Sequence, residues 1–192
     1  MINIRPEILH SWAVEDKRND NTFTPANPAL KEEIEKIERK IGLILPDDLK
    51  WYLENHGFRT LRSHDSLRVR YHLGNRIKEV PVLIDWLFDI PHILKELKLL
   101  STLSDDNTSV IPLEMIPIAK NSTYNKGYYL LDLSKKNYGK VWYWEQTWDE
   151  WGNEDNNYIG AVSNSFKNLI ESINTLEENE KEMIKSPSNN LW

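Results

Sequence analysis

Acidic and aromatic residues are concentrated in one segment of the chain, VWYWEQTWDEWGNEDNNY, which runs from Val141 to Tyr158. The segment holds four of the eight tryptophans and five carboxylates, and it has no basic residue. Clustered carboxylates could coordinate a divalent cation, transfer protons or attract a basic protein, and paired tryptophans could stack on a sugar. Which chemistry is available depends on how the chain positions the two halves of the segment.

The first half of the segment has the pattern of a buried strand. Val141 and Tyr143 alternate with Trp142 and Trp144, so both faces carry bulky apolar side chains until Glu145 ends the run. A strand that is covered on both sides has this composition. We therefore interpret the first four of these residues as core and not as a binding platform.

The second half of the segment forms a candidate partner-binding surface. Its tryptophans and carboxylates follow the strand, in a loop where few core positions are available. Exposed tryptophan beside carboxylates is typical of an interface directed at a basic protein, because the rings supply desolvated area and the acids steer association. The residues that we assign to partner binding are Glu145, Trp148, Asp149, Glu150, Trp151, Glu154 and Asp155.

Three other roles stay open for this loop. A sugar platform would need two rings on one flat face. A calcium ion could bind Asp149, Asn153 and Asp155, although their spacing matches no EF-hand loop. Trp148 or Trp151 could instead fold back onto a small hydrophobic cluster, which would make the loop structural.

None of the common enzyme motifs occurs in the sequence. GxSxG, P-loop and GxGxxG patterns are absent, because all seven glycines are isolated. Asp132 and Glu145 fall on separate predicted strands without a placed partner for acid–base catalysis, and we interpret Asp132 as a turn residue. No HExxH zinc motif includes the histidines, which stand at positions 10, 56, 64, 72 and 92. We therefore predict a protein that is not an enzyme and has no catalytic residues, cofactor or metal ion.

The charge and composition of the chain argue against several classes of partner. The net charge is −6, of which −5 falls on residues 97 to 192. Nucleic acid and anionic lipid both attract clustered Lys and Arg, so we expect no binding to nucleic acid or membrane. The absence of cysteine fits a reducing compartment, and the N-terminus MINIRPEILH has no apolar signal region. We expect a cytoplasmic protein that is a monomer or a weak dimer.

One stretch of the chain is basic, between residues 59 and 78. Only Asp65 opposes its cations. We interpret it as an exposed strand face whose arginines pair with acidic neighbours and discourage edge-to-edge association. Contact with nucleic acid or with an acidic patch on a partner is the alternative. The cations are Arg59, Arg62, Arg68, Arg70, Arg76 and Lys78.

The periodicity of the whole chain predicts an α+β fold, with a mainly antiparallel β-sheet flanked by helices. Asn27 and Pro28 are suited to begin the first helix, and Gly42 is suited to end it. Short polar connectors join the later strands, so we expect an antiparallel meander. The predicted elements are helices at 27–42 and 46–57, a strand at 67–73, a helix from 91, strands at 115–119, 127–133 and 140–145, and a helix from 163 or 165 to 176.

Four sequence blocks occur in a characteristic order. IEKIERKIGLILPDDLKWYLENHG gives a helix, a Gly stop, a Leu-Pro corner and an aromatic helix. IPIAKNSTYNKGYYLLDL gives two strands and a turn, and GKVWYWE and SFKNLIESI give the next strand and the terminal helix. Together they resemble the SUKH superfamily, in its Smi/Knr-like branch, over roughly residues 28 to 176. The resemblance implies a SUKH-like domain at 27–178, between an N-terminal extension at 1–26 and a polar C-terminal tail at 179–192.

The resemblance also implies a function. Bacterial proteins of this branch are commonly immunity proteins, which bind and neutralise a toxin encoded by the adjoining gene, frequently a nuclease. We therefore expect a cognate toxin with a basic surface as the partner. A non-enzymatic scaffold or regulatory hub of the Smi/Knr type is the alternative, because eukaryotic relatives act as interaction hubs.

Overall fold

The computed structural model describes residues 28–61, 64–73, 76–101, 110–122, 126–145 and 159–185. This part of the chain forms an α+β fold, as the sequence predicts. None of its helices has the length and apolar character needed to cross a membrane. Its helices are α1 (Lys31–Ile41), α2 (Asp47–Asn55), α3 (Ile90–Leu100), α4 (Phe166–Glu171) and α5 (Leu176–Lys185). Its strands are β1 (Arg59–Thr60), β2 (Asp65–Leu73), β3 (Arg76–Leu83), β4 (Trp86–Leu87), β5 (Met115–Asn121), β6 (Gly127–Asp132), β7 (Val141–Glu145), β8 (Ile159–Ser163) and β9 (Asn174–Thr175).

The first helix begins at Lys31. The sequence pattern predicts its start three residues earlier, at Pro28. The Leu30 backbone is extended, and its N–H donates to a Glu33 carboxylate oxygen at 2.8 Å. The N–H of Ala29 donates to a carbonyl of α2, which holds the preceding chain away from the helix axis. A tertiary hydrogen bond therefore overrides the local preference of proline for the first helical turn. Asn27, the predicted cap, lies outside the described residues.

All strand pairings are antiparallel, and the strand order is β1-β4-β5-β6-β7-β8-β2-β3, with β9 beside β2. The predicted meander of β5, β6 and β7 is confirmed. The sequence pattern predicts no strand at β3 or β8. Pro81 within β3 and Gly160 within β8 weaken the strand pattern of these segments.

The sheet curls because β3, the last strand of the order, is followed in the chain by β4, the second strand of the order. Ile84 and Asp85 connect β3 directly to β4, at the opposite end of the strand order. The N–H of Asp85 donates to the carbonyl of Lys120 in β5 at 2.9 Å. Inside the curl, the hydroxyl of Tyr129 in β6 donates to the carbonyls at the end of β3, 3.2 Å from Val82 O and 2.9 Å from Leu83 O.

Tyrosines fill the concave side of this sheet. The rings of Tyr129 and Tyr143 are fully buried and lie 4.9 Å apart between centroids. The register places Tyr143 opposite Gly160 in β8, and Gly160 opposite Tyr71 in β2. A Cβ atom at Gly160 would overlap Val69 Cγ1 and would lie 3.1 Å from the Tyr71 ring. A residue without a side chain is therefore required where the neighbouring tyrosines converge.

The C-terminal helix crosses residue 179, where the sequence pattern predicts the start of a polar tail. Asn179 is buried, and its amide Nδ2 donates to Ser66 Oγ at 2.8 Å and to Ser66 O at 3.2 Å. The preceding helix ends at Glu171, because residues 174 and 175 pair with β2. The sequence pattern does not reveal this helix, because most of its residues are polar and an asparagine occupies a buried position. Residues 1–26, the predicted extension, and residues 186–192 lie outside the described part.

Replacement of Gly160 by alanine should destabilise the fold, because the added methyl group overlaps the Val69 side chain. We expect the free energy of unfolding, measured in urea, to fall by about 1–3 kcal/mol. The Val69→Ala substitution removes the side chain that the added methyl group overlaps, and it is combined with Gly160→Ala in a double variant. The double variant should lose clearly less than the sum of the two single losses, since each change relieves the other. Additive losses would contradict the predicted overlap.

Candidate partner-binding site

Glu145 is the one predicted site residue that lies in the described part of the chain. It ends β7, opposite Gly127 in β6, which in turn lies opposite Asn121 in β5. Its side chain is partly buried, and this desolvation raises the pKa of the carboxyl group above its ordinary value. The other predicted site residues, Trp148, Asp149, Glu150, Trp151, Glu154 and Asp155, lie outside the described residues, and their roles stay predictions.

Two tyrosine hydroxyl groups lie within electrostatic reach of Glu145. The pKa of Tyr71 and that of Tyr143 are both raised, first by burial and further by the carboxylate of Glu145. Tyr143 Oη accepts a hydrogen bond from Asn121 Nδ2 at 3.4 Å. Gly127 leaves room for this hydroxyl, since a Cβ atom there would overlap the end of the Tyr143 side chain. Both phenols therefore stay neutral.

Asp85 adds a second carboxylate to this region. Its Oδ2 accepts hydrogen bonds from the N–H and the hydroxyl of Ser122, both at 2.6 Å. Its charge also contributes to the raised pKa of Tyr143. Within the described residues, no Lys, Arg or His forms a salt bridge with Asp85 or Glu145. We name this group the sheet mouth and define it as Tyr71, Asp85, Asn121, Tyr143 and Glu145.

The chemistry available at the sheet mouth is recognition of a cation. Two carboxylates provide negative charge, and the neutral tyrosines beside them add hydroxyl oxygens, which are hydrogen-bond acceptors. An ammonium or guanidinium group would recover the electrostatic cost of the desolvated Glu145. The described part of the chain contains no group of three His, Asp or Glu side chains that could hold a metal ion.

The first half of the acidic segment lies in the sheet, as its alternation predicts. Val141, Tyr143 and Trp144 are buried, and Trp144 stacks on Tyr128 with 6.2 Å between ring centroids. Trp142 is only partly buried and packs against the core. Asp132 is also placed as predicted, because its carboxylate accepts the N–H of Ser134 at 2.9 Å in the turn after β6.

Sequence reasoning assigns no binding role to four residues of the sheet mouth. It interprets Tyr143 as a core residue, and it misses the other three. Asp85 stands in the connection between β3 and β4, and Asn121 ends β5, so neither shows a motif. Tyr71 has a visible signal, because it alternates with Arg70 and His72 in a predicted strand. Its neighbour β8 is not apparent in the sequence, however, and β8 is what places Tyr71 near Tyr143. Two of these three residues are polar and one is aromatic, and these residue types are the one indication of a binding role that the sequence gives.

Comparison with protein families supplies a match over residues 28–172, which span α1 to the end of α4, to the SMI1 / KNR4 family (SUKH-1). The chain belongs to this family. The SUKH resemblance and the α+β fold that it implies are therefore confirmed. The SUKH family comprises immunity proteins and Smi/Knr-type proteins, which are generally non-catalytic. Helix α5 follows the matched range. None of the curated proteins matches the chain.

Replacement of Glu145 by glutamine should stabilise the protein at neutral pH. Because the folded protein raises the pKa of this carboxyl group, it binds more protons than the unfolded chain between the unfolded pKa, about 4.3, and the raised folded value. Stability therefore falls as the pH rises through that window, and an uncharged amide avoids the loss. We expect a higher midpoint of urea unfolding for Glu145→Gln at pH 7, and a gain that disappears towards pH 4.

The exposed Glu180 provides the control for the loss of one negative charge. Glu180→Gln should not reproduce the pH-dependent gain. A Glu145→Gln variant that is less stable than the parent at pH 7, or whose gain is constant from pH 4 to pH 7, would contradict desolvation of Glu145.

Proposed function

We propose that the protein is an immunity protein, which binds a cognate toxin with a basic surface and neutralises it by covering its active or substrate site. The toxin is a nuclease or another polymorphic toxin, and both proteins meet in the cytoplasm. One observation supports this most directly: Glu145 is partly buried, has no cationic partner among the described residues, and immediately precedes the acidic loop. A desolvated carboxylate without a cation favours binding to a partner that supplies one.

The inhibition would depend on charge mimicry. In a nuclease, a cationic groove holds the phosphate groups of the substrate. A Lys or Arg side chain of that groove would insert at the sheet mouth, between Asp85 and Glu145, and would donate hydrogen bonds to their carboxylates. The carboxylates of residues 149–155 would cover the rest of the groove and steer association. The substrate is then excluded by both charge and volume.

Membership of the SUKH family supports a protein-binding function in general terms. It also accommodates a non-enzymatic scaffold or regulatory hub of the Smi/Knr type. The carboxylates of the sheet mouth form no salt bridge within the described residues, and this favours the immunity function, because a toxin's cationic groove is a partner of matching charge.

Co-expression with the product of the adjoining gene tests the proposal. We expect that product to arrest growth when it is expressed alone, and we expect growth to recover when this protein is present. Purification of the two proteins together should then give a stable complex. A product that is harmless, or that remains toxic in the presence of this protein, would leave the scaffold function as the better explanation.

Simultaneous replacement of Trp148, Asp149 and Glu150 by alanine should weaken the complex by at least ~2 kcal/mol, because aromatic and charged residues dominate interface energies. The midpoint of thermal unfolding should stay nearly unchanged. Isothermal titration calorimetry and thermal melts provide the two measurements. Replacement of the exposed Glu32 and Glu35 in α1 by alanine is the control and should leave affinity unchanged.

The two ways in which this prediction can fail have different meanings. Unchanged affinity would remove the loop from the interface. A large drop in the melting temperature would instead favour the structural interpretation, in which Trp148 packs onto the fold.

A further inference from the structure

Two exposed apolar side chains meet at the end of the sheet that lies opposite the sheet mouth. Ile44, in the corner between α1 and α2, is 62% exposed, and Tyr138, in the turn between β6 and β7, is 48% exposed. The Tyr138 hydroxyl donates to the carbonyl of Ile44 at 3.2 Å, so the side chain bridges the turn and the corner. Single exposed apolar residues need no explanation, whereas exposed apolar residues that lie together mark an interaction surface.

Hydrogen bonds hold both of the segments that carry these side chains. In the turn, the N–H of Gly139 donates to the carbonyl of Asp132 at 2.8 Å. In the corner, the N–H of Leu45 donates to a carboxylate oxygen of Glu38, also at 2.8 Å. Segments that are already ordered lose little conformational entropy when they bind a partner.

Charges of opposite sign lie towards the two ends of the Tyr138 side chain. Lys135 and Lys136, in the turn that carries its backbone, are exposed and form no salt bridge with the described residues. Near the hydroxyl, Asp47 is exposed in the first turn of α2. Burial raises the pKa of Tyr138, and the Asp47 carboxylate raises it further. We name Ile44, Asp47, Lys135, Lys136 and Tyr138 the corner surface.

The neighbouring charges do not cancel this pattern. Lys50 pairs with Glu38 at 2.7 Å, and Lys167 pairs with Glu171 at 3.8 Å. Asp48 accepts the backbone N–H of Lys167 at 2.8 Å. The turn therefore keeps a surplus of positive charge and the corner a surplus of negative charge. This holds when the exposed charges of the adjoining segments, Lys40 at the end of α1 and Glu114 before β5, are included.

The corner surface is complementary to itself. In a pairing about a two-fold axis that passes beside Tyr138, both copies use the same surface, and the turn of each lies over the corner of the other. The lysines of each copy then approach Asp47 of the other, and Ile44 and Tyr138 of both copies meet at the centre. From this geometry we infer that the corner surface binds a second copy of the chain and forms a two-fold symmetric dimer.

A partner with a surface of one charge sign fits less well, because it would repel either the lysines or Asp47. The apolar centre is small, so the dimer is weak and depends on protein concentration. Because the sheet mouth lies at the other end of the sheet, it stays open in this dimer. The inference is therefore independent of the proposed function.

Sedimentation velocity tests the dimer directly. We expect the average mass of the parent protein to rise towards that of a dimer as its concentration is increased to about 1 mM. The Ile44→Ser protein should associate about tenfold or more weakly, because it removes apolar area from the centre of the contact. The Ile77→Ser protein, which makes the same change at a 48% exposed position in β3, is the matched control and should associate as the parent does.

Charge exchange tests which residues face each other. The Lys135→Glu/Lys136→Glu protein and the Asp47→Lys protein should each associate about tenfold or more weakly, because like charges then face each other. A mixture of the two should regain association, since one contact of the mixed dimer keeps its native charges and the other has both signs reversed. The control is Lys31→Glu/Lys126→Glu, which makes the same charge change at exposed positions away from the corner surface and should associate as the parent does. Thermal melts should show that all variants are folded.

Three results would overturn the inference. The first is a parent protein that remains monomeric at about 1 mM, which would leave the corner surface to a different protein. The second is association that neither Ile44→Ser nor the charge variants weaken, which would place the contact elsewhere on the chain. The third is a mixture of the two charge variants that associates no more strongly than either variant alone, because the lysines and Asp47 would then not face each other.

Discussion

The Tyr129 hydroxyl ties β6, in the middle of the curled sheet, to β3, the last strand of the order, and the other features of the structure depend on this closure. Tyr129 is fully buried, and its hydroxyl reaches the carbonyls of Val82 and Leu83. A buried polar group without a hydrogen-bond partner costs about 1–3 kcal/mol of stability. The hydrogen bonds between the Tyr129 hydroxyl and these carbonyls avoid that cost. The direct passage of the chain through Ile84 and Asp85 brings the strands within reach of each other. Closure then creates a concave interior that three tyrosines fill.

The closed sheet also explains the electrostatic character of its mouth. Tyr71 and Tyr143 lie where the interior meets Glu145, and their burial keeps them neutral. The same burial disfavours the charged form of Glu145, which is a cost to stability that the fold does not need. Functional sites frequently carry such costs, because a group that is satisfied within the free protein has little left to offer a partner. The SUKH family to which the chain belongs is consistent with a protein partner.

Positive and negative charge occupy separate parts of the sheet. The carboxylates of the sheet mouth lie near the ends of β5, β6 and β7, whereas the arginines of β2 and the cations of β3 flank the open edge. At the end of β3, the carbonyl of Leu83 accepts the Tyr129 hydroxyl. Pro81 and the like charges along β3 disfavour self-association at this edge.

Local physical chemistry is sufficient to predict much of the fold from the sequence. Ile34 and Ile37 recur with helical spacing and are buried, Gly42 ends its helix with φ of 71°, and Leu67, Val69 and Tyr71 alternate in a strand with a buried face. These features follow from the periodicity of helices and strands and from the conformational freedom of glycine. Strand β8 and helix α5 escape this reasoning, because Gly160 interrupts the strand pattern and Asn179 is a polar residue at a buried position. Their order depends on contacts with distant segments.

The sequence by itself determined the fold class, the meander and the acidic and basic segments, since each depends on neighbours in the chain. The tertiary structure alone decided that Tyr71, Asp85, Asn121, Tyr143 and Glu145 share one end of the sheet, and that β3 is its edge. These residues come from segments far apart in the chain, and only long-range strand register brings them together. Burial, and with it the raised pKa of Glu145, is a property of that assembled surface, because desolvation depends on every element packed around a group.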